Sequence, residues 1–96
     1  MHLQIDALQR TERFDKDFSA LDQGLKKLTG ECLRLLMRNP RAKSLRTHTL
    51  QGGSKPTIYK IDVAPNHSYQ VTFILEGSLA VLLRVGSHKQ IDRHPS

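Results

Sequence analysis

Residues 69–85 read YQVTFILEGSLAVLLRV, and the fold follows from this stretch. Tyr69, Val71, Phe73 and Leu75 alternate with Gln70, Thr72 and Ile74, the period of a strand with one face on a core. Glu76-Gly77-Ser78 is a hairpin signal. Leu79 to Val85 is almost wholly apolar and reads as a central strand. Upstream, Ile58 to Val63 also alternates: Tyr59, Ile61 and Val63 fall on one face, Ile58, Lys60 and Asp62 on the other. Pro65-Asn66-His67-Ser68 connects this run to Tyr69. The C-terminal half is therefore expected to be a three-stranded antiparallel meander.

The N-terminal half has a different period. Leu3, Ile5 and Ala7 alternate with His2, Gln4 and Asp6, which predicts a short first strand. Phe14, Phe18 and Leu21 then step by four and three, as on a helix. Asp22 is the expected N-cap of a second helix. Its buried stripe is Leu25, Leu28, Cys32, Leu35 and Leu36, and Asn39-Pro40 ends it. Between Arg41 and Pro56 the periodicity lapses into a loop, with Leu45 and Leu50 as anchors and Gly52-Gly53-Ser54 as a turn. After Gly86 the chain turns polar. Strand, two helices, then grouped strands define an α+β fold, here one domain over residues 1–96. The helices are expected on one sheet face, leaving Lys60, Asp62, Gln70, Thr72 and Arg84 on the other.

Charge is distributed unevenly. The chain has 15 Lys and Arg against 9 Asp and Glu, net +6. From Cys32 to Ile61 there is no acidic residue, but there are Arg34, Arg38, Arg41, Lys43, Arg46, Lys55, Lys60 and His48. One window thus carries the whole positive balance, and such a field attracts polyanions, nucleic acid first among them. No apolar run approaches the ~20 residues of a membrane span. Met1 to Arg10 has no signal-peptide pattern, so a cytoplasmic location without membrane contact is expected. Cys32 is the single cysteine, which excludes an internal disulfide and reads as a small core residue. Tryptophan is absent and aromatics are few, so no stacking platform for single strands is evident.

Several residues carry possible chemistry. Lys60, Gln70 and Arg84 on an exposed sheet face would form an anion site, although a strand lysine alone is more often simply solvated. His88 ends the apolar strand and His48 lies in the basic loop; histidine is the residue type suited to giving or taking a proton in catalysis. His67 and His94 read as ordinary solvated histidines. Arg34, Arg38 and Arg41 step by four and three, the pattern of a solvated helical stripe or, alternatively, of a secondary RNA-docking surface. No His or carboxylate pair has metal-ligand spacing, so neither metal nor cofactor is expected. Gly52-Gly53-Ser54-Lys55 lacks the full phosphate-loop spacing and precedes a strand, which argues against a nucleoside triphosphate site.

An ordered set of segments resembles a known family. It comprises Phe14-Asp15-Lys16-Asp17-Phe18, Asn39-Pro40, Leu45-Arg46-Thr47-His48-Thr49-Leu50-Gln51-Gly52, Ile58-Tyr59-Lys60-Ile61, Tyr69-Gln70-Val71-Thr72-Phe73, and Leu82-Leu83-Arg84-Val85-Gly86-Ser87-His88. Together they look like the RelE/ParE superfamily of bacterial toxin–antitoxin toxins, and the last segment and the Thr-His-Thr-Leu-Gln-Gly run point to its RelE/YafQ branch. That resemblance implies a sheet packed on two helices, similar to microbial ribonucleases. It implies ribosome-dependent, metal-independent cleavage of messenger RNA, with an antitoxin, the ribosome and messenger RNA as partners. It implies His88 as general acid, Lys60 as base or charge stabiliser, and His48 as the competing base. Arg46 and Lys55, with Arg41, Lys43, Gln70 and Arg84, would contact RNA. Two positions depart from the pattern. Gln70 stands where many members have arginine, and no aromatic follows His88, where Ile91, Asp92, Arg93 and His94 stand instead. The competing readings are a ParE-like inhibitor of DNA gyrase and a non-catalytic basic nucleic-acid-binding domain.

Overall fold

The computed structural model describes residues 3–50, 56–63 and 68–96. Its elements are β1 (Ala7–Arg10), α1 (Glu12–Ser19), α2 (Gln23–Arg38), a 3₁₀ turn (Lys43–Leu45), β2 (His48–Thr49), β3 (Tyr59–Asp62), β4 (Tyr69–Glu76), β5 (Leu79–Ser87) and α3 (His88–Arg93). The five strands form one sheet in the order β1-β5-β4-β3-β2. The meander β3-β4-β5 is antiparallel as expected, and β1 adds to β5 in parallel. The turn Gly77-Ser78 closes the β4–β5 hairpin, with Gly77 at φ 64°, a conformation glycine adopts without steric cost.

The first strand is displaced from its expected place. The ladder runs over Ala7–Arg10, whereas Leu3–Asp6 lies outside it, tied on by Asp6 N–H to the Ser78 carbonyl at 2.9 Å. The early alternation still has a physical origin, because Ile5 is buried in the core. Thr11 caps α1 by accepting from Phe14 N–H at 3.1 Å, and its hydroxyl donates to the Leu82 carbonyl at 2.8 Å. Asp22 caps α2 as expected, accepting from Leu25 N–H at 2.8 Å. α2 ends at Arg38, before Asn39-Pro40.

The core joins Phe14 and Leu36 of the helices to Ile61, Val71, Phe73, Leu82 and Val85 of the sheet, with Leu45 of the 3₁₀ turn. Full burial of side chains of this size contributes about 1.5–3 kcal/mol each. Tyr59 lies across from Phe73, and their rings stack at 5.3 Å. Three elements were not foreseen: the 3₁₀ turn and the two-residue strand β2, both inside the expected loop, and α3, in the polar tail. Among the described residues no helix is long and apolar enough to cross a membrane.

Candidate active site

The polar row is built by strand register. His48 opposes Lys60, Lys60 opposes Thr72, and Thr72 opposes Arg84, so one line crosses β2, β3, β4 and β5. Asp62, Gln70 and Gly86 form the next line. Arg84 reaches this face because of a bulge. Thr72 pairs with Arg84 but Phe73 pairs with Leu82, which leaves Leu83 as an extra residue on β5. Without it the alternation would put Leu82 and Arg84 on one face. With it, Leu82 enters the core and Arg84 joins the polar row.

That face is not open to solvent, which corrects the expectation of an exposed one. Lys60, Asp62, Gln70, Thr72 and Arg84 are all buried. The cover is α3 and the residues after it. Ser87 starts α3 with a capping box: its backbone N–H donates to Gln90 Oε1 at 2.9 Å, and its Oγ accepts from Gln90 N–H at 3.3 Å. Ile91 is fully buried. Beyond the helix, Thr72 Oγ1 donates to the Pro95 carbonyl at 2.6 Å and Arg84 Nη1 to the His94 carbonyl at 3.0 Å.

Two expected RNA contacts are occupied inside the protein. Arg84 binds Asp17 of α1 through Nε at 2.7 Å and Nη2 at 3.1 Å, and Asp17 also accepts from Val85 N–H at 3.2 Å. Gln70 Nε2 donates to Asp62 Oδ1 at 3.2 Å. Neither side chain faces the solvent, since neighbouring carboxylates hold both. Asp62 also pairs with Arg46, Nε to Oδ2 at 3.4 Å. Arg46 adopts a left-handed φ of 50° at the end of the 3₁₀ turn, and its carbonyl accepts from His48 Nδ1 at 2.5 Å. The Arg46 side chain itself remains largely exposed.

Lys60 and His88 meet on a residue the sequence reading passed over. Asp92 lies one helical turn after His88, with Oδ2 2.9 Å from His88 Nδ1 and Oδ1 3.8 Å from Lys60 Nζ. The Lys60 side chain is 8% exposed, while those of His88 and Asp92 are 58% and 53% exposed. The array is thus anchored on the sheet and opens outward. The spacing of Ser87 and Gln90, a capping box, followed by His88 and Asp92 at i and i+4, was the available signal.

His48 is exposed on β2 beside Lys60. Arg41 lies past the end of α2, so it does not continue the Arg34–Arg38 stripe. It instead lines a groove of about 420 Å³ with Thr47, His48, Thr49, Thr57 and Tyr59. Lys43 is exposed on the 3₁₀ turn. Lys55, His67 and the Gly52-Gly53-Ser54 turn lie outside the described residues. Cys32 donates to the Val63 carbonyl at 3.6 Å. Burial, with the nearby charges of Glu31 and Asp62, pushes its thiol above the ordinary range, so it is held as a neutral packing group.

No family model and no curated protein matches the sequence. Solved structures do match. YafQ from E. coli strain BL21(DE3) superimposes with a TM-score of 0.71, covering 92% of this chain and 98% of that one at 22% identity. The chain has the RelE/YafQ toxin fold. YafQ in the E. coli DinJ–YafQ toxin–antitoxin complex gives 0.71 over 93% and 98% at 22% identity. Free mutant E. coli RelE gives 0.69 over 96% and 93% at 16% identity. The RelE/YafQ fold agrees with the α+β arrangement expected from the meander and the two helices.

Proposed function

We propose that this protein is the toxin of a toxin–antitoxin pair and that it cleaves messenger RNA on the ribosome. The observation that carries the reading is the meeting of Lys60 and His88 on Asp92, with His48 across the ladder from Lys60. These are the groups needed for attack of a ribose 2′-hydroxyl on the adjacent phosphate: a proton acceptor, a proton donor and a fixed cation.

The contacts support one division of the roles. A carbonyl only accepts, so the contact of His48 Nδ1 with the Arg46 carbonyl places the proton on Nδ1. In the neutral ring Nε2 is then bare, and it takes the 2′-hydroxyl proton as the 2′-oxygen–phosphorus bond forms. Lys60 stands as an ammonium beside a carboxylate and supplies charge for the crowded phosphate. His88 in its imidazolium form gives its Nε2 proton to the 5′-oxygen as the phosphorus–oxygen bond breaks. The products are a 2′,3′-cyclic phosphate and a free 5′-hydroxyl. Arg46, Arg41 and Lys43 are the exposed cations on the His48 side and would hold flanking phosphates. Buried Arg84 and Gln70 would act on the architecture beneath. Lys55 would add charge to the same loop.

An antitoxin is the proposed physiological partner. YafQ, which shares the fold, is solved in a toxin–antitoxin complex with DinJ, and such binding would stabilise so small a domain by mass action. Induction in bacteria, with messenger-RNA ends mapped on and off ribosomes, tests the whole reading. Codon-phased cuts that vanish in His88→Ala are the expected result. Intact RNA with a DNA-damage response would favour gyrase inhibition, and soluble expression with no growth defect would sink both toxin readings.

A further inference from the structure

We propose that Asp92 is a positioning residue, which holds the His88 ring with its proton on Nδ1 and fixes that ring relative to Lys60. This inference rests on the function proposed above.

The first support is directional. A carboxylate only accepts hydrogen bonds when ionised, so Asp92 Oδ2 at 2.9 Å selects the His88 form with hydrogen on Nδ1. Nε2 is then the nitrogen left to exchange a proton with a bound phosphodiester. Fixing a ring nitrogen's proton through the opposite nitrogen is the general way a carboxylate makes an imidazole productive.

The second support is the third partner. An exposed i,i+4 pair on a helix is ordinary and contributes little. Here the same carboxylate also reaches Lys60, whose side chain is 8% exposed and rises from β3. Asp92 therefore ties a helix residue to a sheet residue. Its own placement is set by fully buried Ile91 beside it, by the Ser87–Gln90 cap, and by His88 N–H donating to the Ser68 carbonyl at 3.0 Å. Of the charged groups around the ring, Asp92 contacts it directly and Lys60 is linked through Asp92.

The test has two arms. In the free protein, long-range nitrogen–proton NMR of the His88 ring above its titration should place the hydrogen on Nδ1. Asp92→Ala should convert that pattern to a mixture. In the second arm, purified ribosomes programmed with a short messenger RNA are cut by each variant. Asp92→Ala and Asp92→Asn should lower kcat about tenfold or more with KM little changed, and Asp92→Glu should recover part of the loss. Thermal melts confirm folding of each variant. A wild-type ring carrying its proton on Nε2 overturns the proposal without any variant. So does an Asp92→Ala protein whose kcat stays within about twofold of a wild type that His88→Ala inactivates. If the wild type cleaves nothing, the functional reading fails and Asp92 loses its catalytic relevance, while the NMR arm still decides whether it orients His88.

Discussion

Asp17 on α1 grips Arg84 on β5 with both carboxylate oxygens, at 2.7 and 3.1 Å, and the two side chains are 14% and 7% exposed. This pair joins the first helix to the last strand just past the end of the β1 ladder. Removing one member strands a buried charge. Asp17→Ala is therefore expected to lower stability by about 3 kcal/mol, read by urea denaturation. Arg84→Met added to Asp17→Ala should recover much of that loss, because the stranded charge is then gone. Equal stability of single and double variants would mean that the pair does not act as a unit.

The division between buried and exposed cations predicts how RNA binding responds to salt. Each cation removed from a phosphate should flatten the logarithmic salt dependence by roughly 0.7 for a single strand. Arg41→Ala and Lys43→Ala are expected to show that change. Arg84→Met and Gln70→Leu should leave the slope alone while lowering stability. An unchanged slope in the first pair, with RNA binding intact, would move the RNA track away from the His48 groove.

Cys32 gives a pH prediction with a definite sign. Burial, then the charges of Glu31 and Asp62, raise its folded-state thiol above the unfolded value. The neutral thiol is favoured by folding, so its contribution is full below the unfolded value and is lost as pH rises through the folded one. Native Cys32 should react with a disulfide reagent at pH 8 about tenfold more slowly than in the urea-unfolded chain. Equal rates would place the thiol in solvent.

The start of α3 can be loosened in two graded ways. Ser87→Ala removes the cap and should cost about 1 kcal/mol. Faster amide hydrogen exchange over His88–Arg93, without change in β4 and β5, is the expected signature. A Cβ at Gly86 would sit 2.7 Å from Gln90 Oε1, the mobile end of a flexible side chain. Gly86→Ala should thus displace Gln90 and break half of the capping box, with a smaller effect than Ser87→Ala. Uniform exchange across the sheet in either variant would show that α3 does not open locally.

The elements legible in the sequence were those whose signals are local. The 69–85 alternation, the Gly77 turn, the Asp22 cap and the Asn39-Pro40 stop each depend on neighbours in the chain, and each element is present. The covered polar face was not legible. Alternation reports two faces but cannot tell whether the polar one meets water or a polar segment of the same chain. Lys60, Thr72 and Arg84 meet Asp92 and the carbonyls of Pro95 and His94. Those partners come from the far end of the chain, and two of them are backbone groups that any residue carries. The bulge at Leu83 was also hidden, since it moves Arg84 between faces without altering composition. β2 is two residues long, too short for any period to register.

The parallel pairing of β1 with β5 bears on how the chain acquires this structure. Ala7 finds its ladder partner at Leu79, and the Thr11 hydroxyl meets a carbonyl 71 positions away. Contacts of such separation require a large loop to close before they return any stabilisation, and they slow folding. During synthesis, the sheet cannot be completed until β5 has emerged, and Lys60 has no Asp92 until α3 follows. The Lys60–Asp92–His88 cluster would therefore form only once the strands beneath it and α3 are all available, and a partly made chain would lack it.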